Sequence, residues 1–330
     1  MSETRIAAVV LNWNSAADTL ECVASLQANN EPRLSVIVVD NGSTDSSWEE
    51  LQQAATADTI LIQSGANLGY AGGNNVGIRA ALNNRADYIW ILNNDTVVHP
   101  LCLTELLRAA EIHQARAGIF VPKILQKDGS RTTVFYAGGG YDWVRGQASH
   151  WRFGAQDDEH FEASCDVIFA TGTSLFVRRE VFEQIGLLDE RYFLYWEDVQ
   201  FSRRALHGGY KICFVPTARV WHRGMASSKQ YGHRSSTPTY DYYTMRNRLW
   251  YIREEHRGWT WVSAYVWTMP LLLGEIARIF LQRENRHIVL RRETLRGNLW
   301  RKKFSAIMRG VFDGVLRRPR GVSGQVYGKE

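Results

Sequence analysis

Residues 6–14 read IAAVVLNWN: six apolar residues followed by three that begin and end with asparagine. The apolar part is too short for a buried helix and partly β-branched, so Ile6–Leu11 reads as a strand covered on both faces, as in a parallel sheet. The pattern repeats outward from it. Residues 16–28 place Ala17, Leu20, Val23 and Ala24 at helical spacing, and Val36–Val39 is a second apolar run, ending in Asp40-Asn41-Gly42-Ser43. A polar stretch of helical character runs to about Ala55, and a short strand is expected near Thr59–Ile62. Tyr70–Leu82 reads as a glycine loop leading into a helix, and Tyr88–Leu92 (YIWIL) as a further buried strand. Strands alternating with helices imply right-handed βαβ crossovers, hence an α/β fold with a parallel sheet and helices on both faces. Asn12 and Asn14, Asp40 and Asn41, Asn67, and Asn93, Asn94 and Asp95 follow the successive strands. They therefore fall at the carboxyl edge of the sheet, where open α/β folds bind ligands.

Downstream, residues 115–170 are less regular and read as loops and irregular strands around Ala137-Gly138-Gly139-Gly140. Arg179–Ile185 and Glu197–Leu206 are expected to be helices, the second closed by Gly208-Gly209, and Lys211–Val215 a strand. Gly258–Gly274 (GWTWVSAYVWTMPLLLG) has no charge, but its Thr, Ser and Pro270 make it too short and too polar to span a bilayer. Its Trp259, Trp261, Tyr265 and Trp267 suit an interfacial segment, or packing against the rest of the chain or a second copy.

The chain has 330 residues, 45% hydrophobic and 22% charged, an ordinary globular balance for two domains or one domain with an appendage. Four scattered cysteines without a CxxC pair disfavour a zinc ribbon or a dense disulfide framework and fit a reducing compartment. The N-terminus reads as having no signal peptide, so a cytosolic location is expected. Residues 1–239 carry 21 Lys+Arg against 26 Asp+Glu, whereas 240–330 carry 18 against 8. The basic final third points to an anionic partner, a membrane surface or nucleic acid. The sequence has no GxGxxG after a strand, no GxxxxGK[ST], no GxSxG and no HExxH, and it lacks zinc-finger and zipper spacing. Nicotinamide dehydrogenases, P-loop NTPases, serine hydrolases, zincins and those nucleic-acid binders are thereby disfavoured.

Four places can carry chemistry, and each has a plainer reading. Asp95, directly after a buried strand, puts a carboxylate at the sheet's mouth, where it could hold Mg²⁺ or Mn²⁺ beside substrate phosphates; it could equally start a turn or cap a helix. Asp40 could accept the imide N–H of a pyrimidine base, or simply anchor the turn DNGSTD. Glu197-Asp198, behind Phe193, Tyr195 and Trp196, is a candidate general-base pair, or a helix N-terminus answering the macrodipole. His222 in VWHRG packs, or serves as a further metal ligand beside Asp95.

Taken together these segments resemble the family 2 glycosyltransferases, inverting enzymes of the GT-A fold. The resemblance runs over roughly residues 4–225: VVLNWNS at 9–15, VVDNGSTDSS at 38–47, NLGYAGGNNVGI at 67–78, WILNNDTVV at 90–98, GTSLFVRREVFEQIGLLDERYFLYWEDVQFSRRA at 172–205 and VWHRG at 220–224. Within the family the chain is most similar to the bacterial rhamnosyltransferase-type branch that builds cell-surface polysaccharides. The resemblance implies a catalytic domain over 1–225, a Rossmann-like, mostly parallel sheet with helices on both faces, followed by a mainly helical basic region over 226–330. It implies that Asp40 reads the base with Asn12 lining the nucleoside pocket, and that Asn67 through Asn74 approach the donor, with Gly69, Gly72 and Gly73 leaving room for it. Asn94 and Asp95 would lie on the donor side, Asp95 as the metal-binding residue of the DXD motif and His222 as a further ligand for Mg²⁺ or Mn²⁺. The motif here is Asn93-Asn94-Asp95, so its first carboxylate is an amide, and strict metal dependence stays open. Asp198 would be the catalytic base, with Trp196 and Glu197 on the acceptor side.

The implied donor is a dTDP-sugar (rhamnose favoured) or a UDP-sugar, and the acceptor a saccharide hydroxyl, polyprenol-linked if the enzyme works at the inner face of the cell membrane. Residues 240–330 would hold it there as a peripheral protein or form a homodimer contact; nucleic acid is not an expected partner. Two alternatives stand beside this reading. A sugar-nucleotide nucleotidyltransferase would open with a Gly- and Arg-rich loop where this chain has NWNSAADT, and a non-catalytic binding module would not need Asp95, Asp198 and His222 together.

Overall fold

The computed structural model describes residues 4–56, 58–113, 117–128, 131–157, 167–223, 237–284 and 299–317. The first half follows the expected alternation closely: β1 (Ile6–Asn12), α1 (Ala16–Gln27), β2 (Leu34–Asp40), α2 (Ser47–Ala54), β3 (Thr59–Gln63), α3 (Gly69–Asn83) and β4 (Tyr88–Asn93). There follow β5 (Thr96–Val98), α4 (Cys102–Ile112), β6 (Ala117–Asp128), β7 (Arg131–Tyr136), β8 (Gly139–Asp142) and β9 (Gln147–His150). The last elements are β10 (Ser174–Arg178), α5 (Arg179–Ile185), α6 (Glu197–His207), β11 (Lys211–His222), α7 (Pro238–Glu255), α8 (Gly258–Glu284) and α9 (Leu299–Leu316).

The main sheet runs β3-β2-β1-β4-β10-β6-β11-β5, with β7 attached to β6. Its first four strands are parallel, β10 enters antiparallel between β4 and β6, and β11 returns parallel to β6. Ile6, Ala8 and Val10 point into a core with Cys22, Val23 and Leu26 of α1 and Leu103 and Leu106 of α4. Val9, on the opposite face, lies against α3, where a side chain on Gly77 would come 2.3 Å from its Cγ1. Both faces are therefore covered, and this is why the strands read as continuous apolar runs.

Three features of the second half were not expected. Residues 115–170 contain β6, a twelve-residue central strand, rather than only loops and irregular strands. Ser174–Arg178 forms a central antiparallel strand, and the strand expected at 211–215 continues to His222 through a register shift between Val215 and Arg219. The expected C-cap at 208–209 is present, with Gly209 at φ +87°. Cys22 and Cys102 are free and buried, and burial pushes the Cys22 thiol up to about 12. Cys213 is disulfide-bonded, although the scattered cysteines point to a reducing compartment.

The chain divides into two compact units, one over 1–140, 148–193 and 197–226 and the other over 141–147, 194–196 and 227–330. In the second, Thr237 caps α7 by accepting from Tyr240 N at 3.1 Å, with Pro238 at the first helical position. Met245, Leu249, Leu272 and Ile307 form the core joining α7, α8 and α9.

Candidate functional site

The parallel register sets Asn12 opposite Asp40 and Leu11 opposite Asn93, so the polar ends of β1, β2 and β4 lie level at one edge of the sheet. Asn12 Nδ2 donates to Asp40 Oδ1 at 2.8 Å and to Ser43 Oγ at 3.1 Å, while Thr19 Oγ1 donates to Asn12 Oδ1 at 2.7 Å. Ser43 Oγ and N also donate to Asp40, at 2.5 and 3.2 Å. Asp40 is 0% exposed, and its carboxylate faces protein donors in this structure. Asn41, also expected at this edge, ties the next loop down. It donates to Asn67 Oδ1 and Gly69 O, both at 3.2 Å, and accepts from Leu68 N at 3.0 Å.

The glycines opening α3 have reasons within the protein itself. Gly69 has φ +73° and presses on the Phe193 carbonyl, and a Cβ on Gly73 would lie 2.5 Å from Leu11 Cδ1. Gly72 similarly faces Leu68. Their missing side chains let α3 close on β1 and on Phe193. Asn74 is fully buried, with Nδ2 donating to Tyr70 O at 2.9 Å and Oδ1 without a hydrogen-bond partner among the described residues.

Asp95 and His222, 127 positions apart, meet because β5 pairs antiparallel with the end of β11, Thr96 opposite His222. Arg223 N donates to Asp95 O at 2.9 Å, and His222 Nε2 lies 3.2 Å from Asp95 Oδ1. His222 is buried with Nδ1 unpartnered, and the Oδ1 of Asn93 is likewise buried without a partner among the described residues. A carboxylate, an imidazole and a spare amide oxygen suit Mn²⁺ or Mg²⁺. Among the described residues no three His, Cys, Asp or Glu side chains converge. Two protein ligands with phosphate oxygens completing the shell is a common Mg²⁺ arrangement. Asn94 turns instead to α1, donating to Thr19 Oγ1 at 3.0 Å.

Asp198 stands at the N-terminus of α6, where Gly172 N donates to Oδ2 at 2.9 Å and Val199 N to Oδ1 at 2.8 Å. The Gly172 carbonyl in turn accepts from Tyr70 Oη. Burial raises the Asp198 carboxyl, offset by the two backbone donors and by the nearby His150. Glu197 is buried more deeply, its Oε2 without a partner, and burial followed by the charge of Asp198 pushes it well above the ordinary range. The backbone leading in is strained: Phe193, Tyr195 and Trp196 have φ of 63°, 67° and 73°. Non-glycine residues adopt such angles only where contacts over-determine them. Here Phe193 O accepts from Ala71 N, and Asn247 Nδ2 donates to Leu194 O and Tyr195 O at 2.9 and 2.7 Å. The Trp196 ring packs 5.5 Å from that of Tyr251.

Two residues not singled out from sequence tie these centres together. The Tyr70 hydroxyl, raised chiefly by burial, also senses the charges of Glu197, Asp198 and Asp95. His150, whose Nδ1 lies 3.0 Å from Phe135 O, is lowered by burial and senses both Asp198 and His222. Tyr70 sits inside the quoted NLGYAGG segment and was legible as a polar aromatic there; His150, in the irregular region, carried no signal.

Glu197→Gln offers a test of the buried pair. A carboxyl raised on folding contributes stability fully below its ordinary pKa and loses it as pH rises through the raised value. The variant should therefore match wild type near pH 5 and melt higher at pH 8, with each 1 kcal/mol worth about 2–4 °C. A Tm difference independent of pH would show that Glu197 is not held neutral.

A mostly parallel sheet with polar strand ends, a carboxylate–imidazole pair and a second carboxylate on a helix N-terminus defines the GT-A class of sugar transferases. The family profile described as Glycosyl transferase family 2 matches residues 7–186. An N-acetylglucosaminyl-diphospho-decaprenol L-rhamnosyltransferase of Mycobacterium tuberculosis is 30% identical over 266 residues, 75% of this chain and 83% of that one. The dTDP-rhamnosyl transferase RfbF of Shigella flexneri is 25% identical over 77% of this chain and 81% of its own. The fold matches the mannosyltransferase PcManGT of Pyrobaculum calidifontis, solved with GDP-Man and Mn²⁺, with TM-score 0.56 at 13% identity over 96% and 88% of the two chains. The chain belongs to glycosyl transferase family 2: it is a glycosyltransferase, similar to rhamnosyltransferases.

Proposed function

We propose that the enzyme moves a sugar, rhamnose first among candidates, from a dTDP-linked donor to a saccharide hydroxyl on a polyprenyl diphosphate, inverting the anomeric centre, in cell-surface glycan synthesis at the inner face of the cell membrane. The rhamnosyl relatives support the sugar and the lipid-linked acceptor; a UDP-sugar remains the second donor. The observation that carries the mechanism is the placement of Asp198 at the N-terminus of α6, its two carboxylate oxygens fixed by the Gly172 and Val199 backbone donors.

In this reading the diphosphate of the donor lies at Asp95 and His222, with Asn93 and Asn94 beside them. Asp95 and His222 would hold a divalent cation, which would neutralise the charge that grows on the departing diphosphate. Asp198 accepts the acceptor hydroxyl's proton as that oxygen bonds to the anomeric carbon. The carbon–oxygen bond to the diphosphate breaks on the opposite face, and a nucleoside diphosphate leaves. The raised pKa of Asp198 makes it a stronger base than a free aspartate, while its backbone donors favour the ionised form. Asn12, Asp40 and Ser43 form the wall of the nucleoside pocket, and the α3 N-terminus with Asn67, Gly69, Gly72, Gly73 and Asn74 lies along the donor. Trp196 and Glu197 border the acceptor.

The test is thermal stability with dTDP, UDP and GDP, each with Mn²⁺ or with EDTA. A ligand at 100 times its Kd stabilises by about 2.7 kcal/mol. The expected result is the largest rise with dTDP, most of it removed by EDTA. Equal rises with all three nucleotides, or none, would contradict the donor assignment.

A further inference from the structure

α8 is built inside out. Its buried row is Ser263, Ala264, Thr268 and Leu272. The two hydroxyls need nothing outside the helix: Ser263 Oγ donates to Thr260 O at 3.1 Å and Thr268 Oγ1 to Ala264 O at 2.7 Å. The outward row is Trp259, Val262, Val266, Met269 and Leu273, at alternating spacings of three and four that make one stripe. These five are 42–75% exposed. Trp261 and Trp267 are also exposed, and the Arg145 guanidinium sits 5.0 Å over the Trp267 ring. A helix facing water places its charges outward; the turns from Gly258 to Gly274 have none to place.

Charge selects the occupant. Residues 240–330 carry 18 Lys+Arg against 8 Asp+Glu, and exposed Arg257 stands next to the first turn of α8. Two copies of so basic a surface repel each other, whereas an anionic bilayer attracts it. Tryptophan with arginine beside an apolar stripe is the composition of a helix lying at the headgroup boundary. No helix among the described residues is long and apolar enough to cross a membrane.

We propose that α8 lies in the plane of an anionic lipid surface, with Trp259, Val262, Val266, Met269 and Leu273 dipping into the acyl boundary. This deepens the proposed lipid-linked acceptor by naming the surface that meets the membrane, yet binding can be read without any transfer reaction. The experiment is flotation of the full chain with phosphatidylcholine vesicles, with and without phosphatidylglycerol, beside the variant Val262→Glu/Val266→Glu/Leu273→Glu. The three sites are exposed, so the variant should keep its Tm and its nucleotide-induced stabilisation. Wild type is expected to float with the anionic vesicles, less so at high salt, and the variant to bind at least about 10-fold more weakly. Failure of wild type to float, or equal flotation of the variant, would overturn the proposal. A wild-type dimer that fails to float and is split by the substitutions would assign the face to a second copy instead. Loss of flotation with nucleotide stabilisation intact keeps this outcome distinct from failure of the donor assignment.

Discussion

Asp198→Asn is expected to keep donor binding and to lose transfer by about 10²–10⁴-fold, the usual cost of removing a positioned general base. The amide preserves the shape and one acceptor for the N–H groups of Gly172 and Val199. Its NH₂ faces the other N–H, at a cost of about 1 kcal/mol, while a buried charge is removed. The fold should therefore survive, and a binding measurement with dTDP separates lost chemistry from lost structure. Burial holds the wild-type carboxyl above its ordinary value of 3.8, so kcat/KM should decline with falling pH earlier than for a free aspartate. Near wild-type turnover by the variant would remove Asp198 from the reaction.

The second large effect is expected at Asp95. In Asp95→Asn and His222→Ala the part of the dTDP-induced Tm rise that depends on Mn²⁺ should vanish, leaving the EDTA value unchanged. Transfer should fall by at least about 100-fold, more than the loss typical of a residue that only orients a metal ligand. His222 and Asp95 touch each other and share no other side-chain partner among the described residues that would carry a cation. An unaltered Mn²⁺ increment in both variants would mean the pair is merely a hydrogen bond.

The half of the fold that was legible in the sequence is the half with simple periodicity. β1, β2 and β4 are buried on both faces and so appear as uninterrupted apolar runs, and their polar ends mark the carboxyl edge of the sheet without further information. β6 was not legible because its twelve residues mix Lys123, Gln126 and Lys127 into the apolar pattern. Lys123 is buried and paired with Asp157 at 2.7 Å, a tertiary contact no local pattern shows. The meeting of Asp95 with His222 likewise depends on the β5–β11 pairing, so the residues could be named but not brought together from spacing. Asp40 shows the opposite limit. Its position at the site was readable, but its enclosure by Asn12 and Ser43 follows from the β1–β2 register and the turn after it. Tyr70 and Asp198 meet at one residue, Gly172, whose carbonyl accepts from the Tyr70 hydroxyl 102 positions away and whose N–H donates to Asp198.

The central claim is a single displacement with Asp198 as base. It is tested most directly by the anomeric configuration of the product formed from dTDP-rhamnose and a polyprenyl-diphosphate-linked saccharide, read by NMR. The account predicts one added sugar with configuration opposite to that in the donor, and no such product from Asp198→Asn. A product that retains the donor's configuration would contradict it.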